Sequence, residues 1–282
     1  MPAFICTACG MQYAPTDTAP AQCIICEEER QYVPPTGQSW TTLPALAARA
    51  FNAYREHEPG LIGIGTQPQF AIGQRALLVC TPNGNVLWDC ISLLDAATVA
   101  LIKGLGGLKA IAISHPHFYT TMVEWSRAFG GAPIHLHAAD RQWIMRPDRA
   151  IKLWDGETLE LLPDVTLIRG GGHFPGGAML HWAKGAEGRG ILLSSDIATV
   201  TTDRKFLTFM YSYPNLIPLN AAQVRGIAAA VAPFRFDRIY GHYFDRMIPT
   251  GGEQVLKKSV DRYIKAIGAA RGKSNEEKRK HD

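Results

Sequence analysis

The sequence predicts an α/β protein fronted by a small four-cysteine metal-binding module. Three observations carry this reading. Two Cys-x-x-Cys pairs lie within the first 26 residues. Beyond them, apolar strand-length runs rich in β-branched residues alternate with helical patterns. Several of those runs end in histidine or aspartate, and open α/β sheets place their chemistry at the carboxyl edge of the strands.

The hydrophobic content of 46% is ample for a sizeable core, which excludes wholesale disorder. With 282 residues the chain has room for one large domain plus a small module. The expected division is a four-cysteine module over 1–35, a main domain over 36–270 and a basic, disordered tail over 271–282. Net charge is +4, of which the tail supplies +2 (five basic against three acidic side chains), so the body is nearly balanced. Nothing in that balance calls for a nucleic-acid partner. A small-molecule substrate is expected, with no membrane, and a homo-oligomer is left open. The N-terminal residues lack both a basic region and a long apolar run, and the cysteines pair as metal ligands. A cytoplasmic setting is therefore expected.

Cys6 and Cys9 form the first pair and Cys23 and Cys26 the second, with thirteen residues between the inner cysteines. Two such knuckles complete a tetrahedral four-sulfur shell, with zinc as the default ion and rubredoxin-like iron as the alternative. All four positions are filled by protein, so this site is structural. Gly10 suits the positive φ that such a turn needs. Pro34-Pro35-Thr36-Gly37 reads as the linker. Thr42 as cap and Pro44 in the first turn then predict a helix with Leu46, Ala50 and Tyr54 on one face, ended by Pro59-Gly60.

Strands are expected at Leu61 to Thr66, Arg75 to Thr81 and Asn85 to Cys90. The last two form a hairpin about Pro82-Asn83-Gly84, with Asp89 near its end. Asp95 caps a helix that stops at the glycines of 104–107. The apolar run Leu108 to Ile113 then leads into Ser114-His115-Pro116-His117-Phe118-Tyr119-Thr120. Two imidazoles one residue apart at a strand end suit a metal ion, and Pro116 between them stops the strand. A helix follows to about Phe129, and then a strand over Pro133 to His137. That strand carries a second His-x-His, His135 and His137, read as structural because no loop aims it at a cleft. His57 and His281 are expected at the surface, and His181 within a strand.

Three later strands end in chemistry. Val165 to Ile168 runs into Gly170-Gly171-Gly172-His173-Phe174-Pro175-Gly176-Gly177, a glycine-rich loop that permits close backbone approach. Ile191 to Ser195 ends in Asp196, and Phe236 to Gly241 ends in His242. Histidines and a carboxylate gathered at one sheet edge are how a catalytic metal site is built.

In their order these motifs resemble the metallo-β-lactamase superfamily. Its pattern is His-x-His-x-Asp-His, then Gly-His-(Thr)-Pro-Gly, then a strand-end Asp and a late strand-end His. Here they read His115-Pro-His117-Phe-Tyr119-Thr120, Gly172-His173-Phe174-Pro175-Gly176, Asp196 and Gly241-His242, and Asp89 matches the family's early strand-end Asp. The resemblance covers about residues 61–267. It implies a four-layer αββα sandwich. It also implies a first metal position of His115, His117 and His173 with Asp196 adjacent, and a second position reduced to Asp196 and His242. Tyr119 and Thr120 stand where the family has Asp and His, and a phenol and a hydroxyl are poorer ligands. One catalytic ion is therefore expected, zinc or alternatively iron or manganese. The implied activity is hydrolysis of an ester, thioester, lactone or amide. In it Asp196 orients the water, His242 carries a proton and Tyr119 hydrogen-bonds an oxyanion. The alternatives are a non-haem iron dioxygenase using two His and one Asp, and a binding protein whose centre has decayed.

Overall fold

The computed structural model describes residues 1–268. The tail expected over 271–282, His281 included, lies outside the described residues. Two sheets form the frame. The first holds seven strands in chain order: β3 (Phe51–Glu58), β4 (Leu61–Gln67), β5 (Ala76–Thr81), β6 (Gly84–Trp88), β7 (Ala110–Ala112), β8 (Ile134–His137) and β9 (Ile151–Trp154). It is antiparallel from β3 to β6 and parallel from β6 to β9. The second holds β10 (Thr158–Leu162), β11 (Val165–Arg169), β12 (Ala178–Trp182), β13 (Ile191–Ser195), β14 (Arg238–Gly241) and β15 (Met247–Ile248), with β13 and β14 parallel and the other pairs antiparallel. Ahead of both sheets, β1 (Phe4–Cys6) pairs with β2 (Trp40–Thr42), and two short helices, α1 (Ile24–Glu27) and α2 (Leu43–Ala47), belong to the same N-terminal stretch.

Strand periodicity explains the layering. Successive side chains point to opposite faces, and both faces here are apolar. On β5 and β6, Leu77, Val79, Val86 and Trp88 pack inward against Val165, Leu167, Leu180, Ile191 and Leu193 of the second sheet. Their neighbours Leu78 and Leu87 point the other way, to Ile102 of α3 (Ala96–Gly104) and to Met122, Val123 and Trp125 of α4 (Met122–Ala128). Behind the second sheet, Ile168 and Leu192 meet Val224 and Ile227 of α5 (Ala221–Val231) and Leu256, Val260 and Ile264 of α6 (Gly252–Ala266). Three apolar layers between four structural layers make the αββα sandwich. Cys6, Cys9, Cys23 and Cys26 belong to the same apolar layer as α3 and α4, so the module packs on the outer face of the first sheet. No helix among the described residues is long and apolar enough to cross a membrane.

Two expectations are corrected. The helix expected up to Pro59-Gly60 covers only Leu43–Ala47, although Thr42 does cap it through the Ala45 N–H. Phe51–Glu58 instead pairs along its length with β4, and Pro59-Gly60 is the hairpin turn, with Gly60 at φ +81°. Asn52 decides the matter, because its side chain bonds to Leu93 O and Thr98 Oγ1 and its N–H to Asp95. Those tertiary bonds outweigh the helical spacing of three apolar residues. His57 is half-buried instead of exposed, accepting a hydrogen bond from Arg75 at 2.5 Å. Burial first, and the Arg75 charge second, hold its ring down to about pKa 3.

Candidate metal centres

The parallel pairs β6–β7 and β13–β14 bring four strand ends to one edge. Asp89 follows β6, the His115-Pro-His117 turn follows β7, Asp196 follows β13 and His242 follows β14. The strand β11 runs in the same direction as β13 and delivers the glycine loop with His173. At that edge His115, His117, His173 and Asp196 converge, all buried, with one ligand atom of each within 4.8 Å of the others.

Their spacing suits a single ion. His173 Nε2 lies 3.3 Å from His117 Nδ1, and His115 Nε2 lies 3.3 Å from Asp196 Oδ1. A tetrahedral ion with bonds of about 2.0–2.1 Å to nitrogen or oxygen sets its ligands roughly 3.4 Å apart. His115 Nε2 and Asp196 Oδ1 are both buried and make no hydrogen bond, despite their closeness. Burial, and then the charge of Asp89, push the Asp196 carboxyl well above the ordinary range. An ionised Asp196 therefore calls for a cation. Burial holds the rings of His115 and His117 well below the usual range and that of His173 down to about 3, so all three are neutral at neutral pH, the form that can ligate a metal ion.

The surroundings orient these side chains. His173 Nδ1–H donates to the carbonyls of Tyr211 (2.8 Å) and Met210 (3.1 Å), which leaves Nε2 as the lone-pair nitrogen. His115 Nδ1 meets Ser114 Oγ at 2.8 Å. Ser114 in turn donates to Asp89 Oδ1 through its N–H (2.8 Å) and hydroxyl (2.7 Å), and the Ser195 hydroxyl donates to Asp89 Oδ2 at 3.0 Å. Asp89 thus ties the His115 turn of one sheet to the strand end before Asp196 in the other. Asp89 and Ser195 both hold left-handed backbone, φ +60° and +51°, a strained conformation that packing must maintain.

His242 lies outside the four-residue set but lines the same cavity of about 300 Å³. Its Nδ1 is buried without a partner, and burial holds its ring down to about 4. Tyr119 does not line that cavity. It is buried in the core behind the first sheet, and the acidic group bearing on its phenol is Asp140. Tyr119 ends the single 3-10 turn Pro116–Phe118 with its N–H on Pro116 O. Thr120, at φ +37°, is likewise buried. His137 bonds Gly156 O (3.1 Å) and His181 bonds Arg235 O (2.8 Å), and neither they nor His135 join the set.

The four cysteine sulfurs also lie within 4.8 Å of one another, with Cys6–Cys26 and Cys9–Cys23 both at 3.6 Å. A tetrahedral ion with bonds of about 2.3 Å to sulfur requires edges of roughly 3.8 Å. Gln38 Nε2 donates to Cys6 Sγ at 3.0 Å and the Tyr13 hydroxyl to Cys23 Sγ at 3.4 Å, contacts that suit thiolates. The neighbouring sulfurs, Cys23 foremost, push Cys6 down and Cys9 up, since four buried thiols cannot all ionise without a cation. From this module Ala8, Arg30, Gln31 and Tyr32 reach across to form one wall of the histidine cavity.

No protein-family model matches the chain. It is 49% identical over 271 residues to the uncharacterized protein YmaE of Bacillus subtilis (strain 168), across 95% of this chain and 98% of that one. The chain belongs to the YmaE family. Among solved structures, the DIM-1 metallo-β-lactamase superposes with a TM-score of 0.57 at 11% identity, covering 77% of this chain and 98% of DIM-1. VMB-1 gives 0.56 at 11% identity with the same coverage of each chain. This member of the YmaE family thus has the metallo-β-lactamase fold.

Ser114, Ser195 and Arg30 were not singled out from the sequence. Both serines directly precede a candidate ligand, and Arg30 follows the second cysteine pair by four residues. Adjacency to a motif was the only available signal.

Proposed function

We propose that the protein is a metal-dependent hydrolase with one catalytic ion, zinc by preference, held by His115, His117, His173 and Asp196. Its substrate class is an ester, thioester, lactone or amide small enough for the cavity. The observation that carries this is the buried His115 Nε2 and Asp196 Oδ1, 3.3 Å apart and not hydrogen-bonded to each other. An ion bound there would polarise the scissile carbonyl and make water acidic enough to attack at neutral pH. Asp196 accepts a hydrogen bond from the attacking water and sets its direction. His242, neutral and with Nδ1 unpartnered, takes up a proton and passes it to the leaving group. The cysteine module and Tyr213, Pro214 and Tyr243 supply the walls that would hold the substrate. Tyr119 takes no part, because its ring lies in the core. A structural zinc at Cys6, Cys9, Cys23 and Cys26 completes the metal content.

Elemental analysis of the purified chain tests the assignment. Two ions per chain are expected, falling to one in His173→Ala together with loss of esterase or lactonase turnover. Full occupancy in His173→Ala would defeat the ligand set. Iron with oxygen uptake in place of hydrolysis would replace the hydrolase with a dioxygenase.

A further inference from the structure

The two metal centres meet at one side chain. Arg30 stands four residues beyond Cys26 and crosses to the glycine loop, where its Nε–H donates to His173 O at 2.6 Å. Its guanidinium lies 4.5 Å from the centre of the Phe174 ring and 4.3 Å from that of Tyr211. Glu28 accepts from Nη1, which fixes the plane of the fork. Asn215 Nδ2 donates to Glu29 O (2.8 Å) and Gln31 O (3.1 Å), fastening the segment on either side of Arg30. The His173 ring is itself aimed by the carbonyl of Tyr211. Arg30 therefore touches His173 at its backbone carbonyl and, through the side-chain ring, Tyr211, the residue whose carbonyl accepts the His173 ring proton.

We propose that Arg30 is a positioning residue for His173, and that through it the ion of the four-cysteine site tightens metal binding at the histidine site. The physical reason is local order. Cys23 is the N-cap of the short helix Ile24–Glu27 and Cys26 lies within it, and the stretch of chain carrying Arg30 begins where that helix ends. With the knuckle closed on an ion, Arg30 is presented in place. With the knuckle open, the order of that segment must come from the weaker contacts alone. Outer partners that orient a metal-ligating histidine contribute about 10–100-fold to metal affinity. The planar fork and its stacking on two rings are beyond lysine, so Arg30→Lys is not conservative here.

This inference rests on the reading of the histidine set as a metal site. The test is a cobalt(II) titration of the metal-stripped full chain against a competing chelator. Thiolate charge-transfer absorption reports the cysteine site and the weaker ligand-field bands report the histidine site. Two cobalt ions are expected in the parent protein. Arg30→Ala and Arg30→Lys are expected to weaken the histidine site about 10–100-fold while leaving the cysteine site unchanged. Cys26→Ser is expected to weaken the histidine site although it removes none of its ligands. Asn215→Ala loosens the segment with the cysteine ion in place and tests the segment's own contribution, with a smaller weakening expected. Parent-like affinity at the histidine site in both Arg30 variants would overturn the positioning role. Parent-like affinity in Cys26→Ser would overturn the link to the cysteine ion, and parent-like affinity in Asn215→Ala would overturn the dependence of the histidine site on the order of this segment. Equal weakening of both sites in the Arg30 variants would mark a general loss of structure and overturn it too. A parent protein that binds cobalt only through its cysteines would instead defeat the metal-site reading itself.

Discussion

Asp140 offers a prediction whose sign and size both follow from its surroundings. The residue is 1% exposed, and its Oδ1 accepts the Gly176 N–H at 2.9 Å, which clamps the far end of the His173 loop. Its Oδ2 is buried without a partner. Burial pushes the carboxyl up to about 6, while the Gly176 bond and the more distant Arg30 and Arg169 oppose that rise. The folded protein therefore holds this proton more tightly than the unfolded chain. The resulting stability is fully present below about pH 4 and is lost as pH rises through about 6. A rise from the ordinary 3.8 to about 6 corresponds to about 3 kcal/mol, an upper figure for what ionising Asp140 costs the fold at neutral pH. Asp140→Asn keeps a carbonyl for the Gly176 N–H and cannot ionise. Its stability relative to the parent is expected to climb by up to about 3 kcal/mol between pH 4 and 7, the unpartnered amide adding only an offset that is the same at every pH. Urea unfolding of both proteins at half-unit pH steps measures this. Only the difference between them is read, so titrations common to both cancel. A difference that stays flat from pH 4 to 8 would refute the reasoning, because it would mean that the carboxylate ionises in place at no cost.

Two further outcomes follow from packing and polar satisfaction. Leu193→Ala, fully buried between the two sheets, is expected to cost about 2–5 kcal/mol in urea unfolding with little change in slope. Arg75 is 1% exposed and gives Nε–H and Nη2–H bonds to Gly241 O at 3.1 and 2.8 Å, just before His242. Arg75→Lys cannot reproduce that fork and is expected to cost about 1–3 kcal/mol. The same substitution is expected to lower kcat more than it raises KM, if His242 carries the proton.

The sandwich was legible because its strands announce themselves. Runs such as Ile191–Ser195 and Ala76–Thr81 are apolar on both faces, which only a doubly covered sheet accommodates. The candidate site was legible where a histidine or a carboxylate follows a strand end, as at His115, His173 and Asp196. What escaped notice depends on partners far along the chain. Phe51–Glu58 carries Arg, Glu and His among its eight residues and becomes a strand only because β4 and Asn52's bonds hold it. A serine before a histidine carries no signal until Asp89 is seen opposite both Ser114 and Ser195. Arg30 sits in a run of charged residues that reads as solvated surface. Two aromatic rings and a carbonyl from residues 173–211 give it a partly buried place.

The departure at Tyr119 and Thr120 takes on a physical meaning beside the cysteine module. Gln12 N–H donates to Thr120 O at 3.2 Å, and the Ser92 hydroxyl donates to Gly10 O at 3.0 Å. A Cβ on Gly10 would stand 2.4 Å from Ser92 Oγ and 3.6 Å from Thr120 Cγ2, so the knuckle turn is seated directly against this stretch. Tyr119 lies in the apolar layer that also contains Cys6, Cys9, Cys23 and Cys26. A carboxylate at 119 in this backbone would be buried in that layer, with Asp140 as its charged neighbour and outside the lining of the cavity. A buried and unpaired charge costs several kcal/mol, so tyrosine suits the position that the module creates. The altered motif and the added module are then two sides of one packing arrangement. That arrangement places the module's own residues in the wall of the cavity.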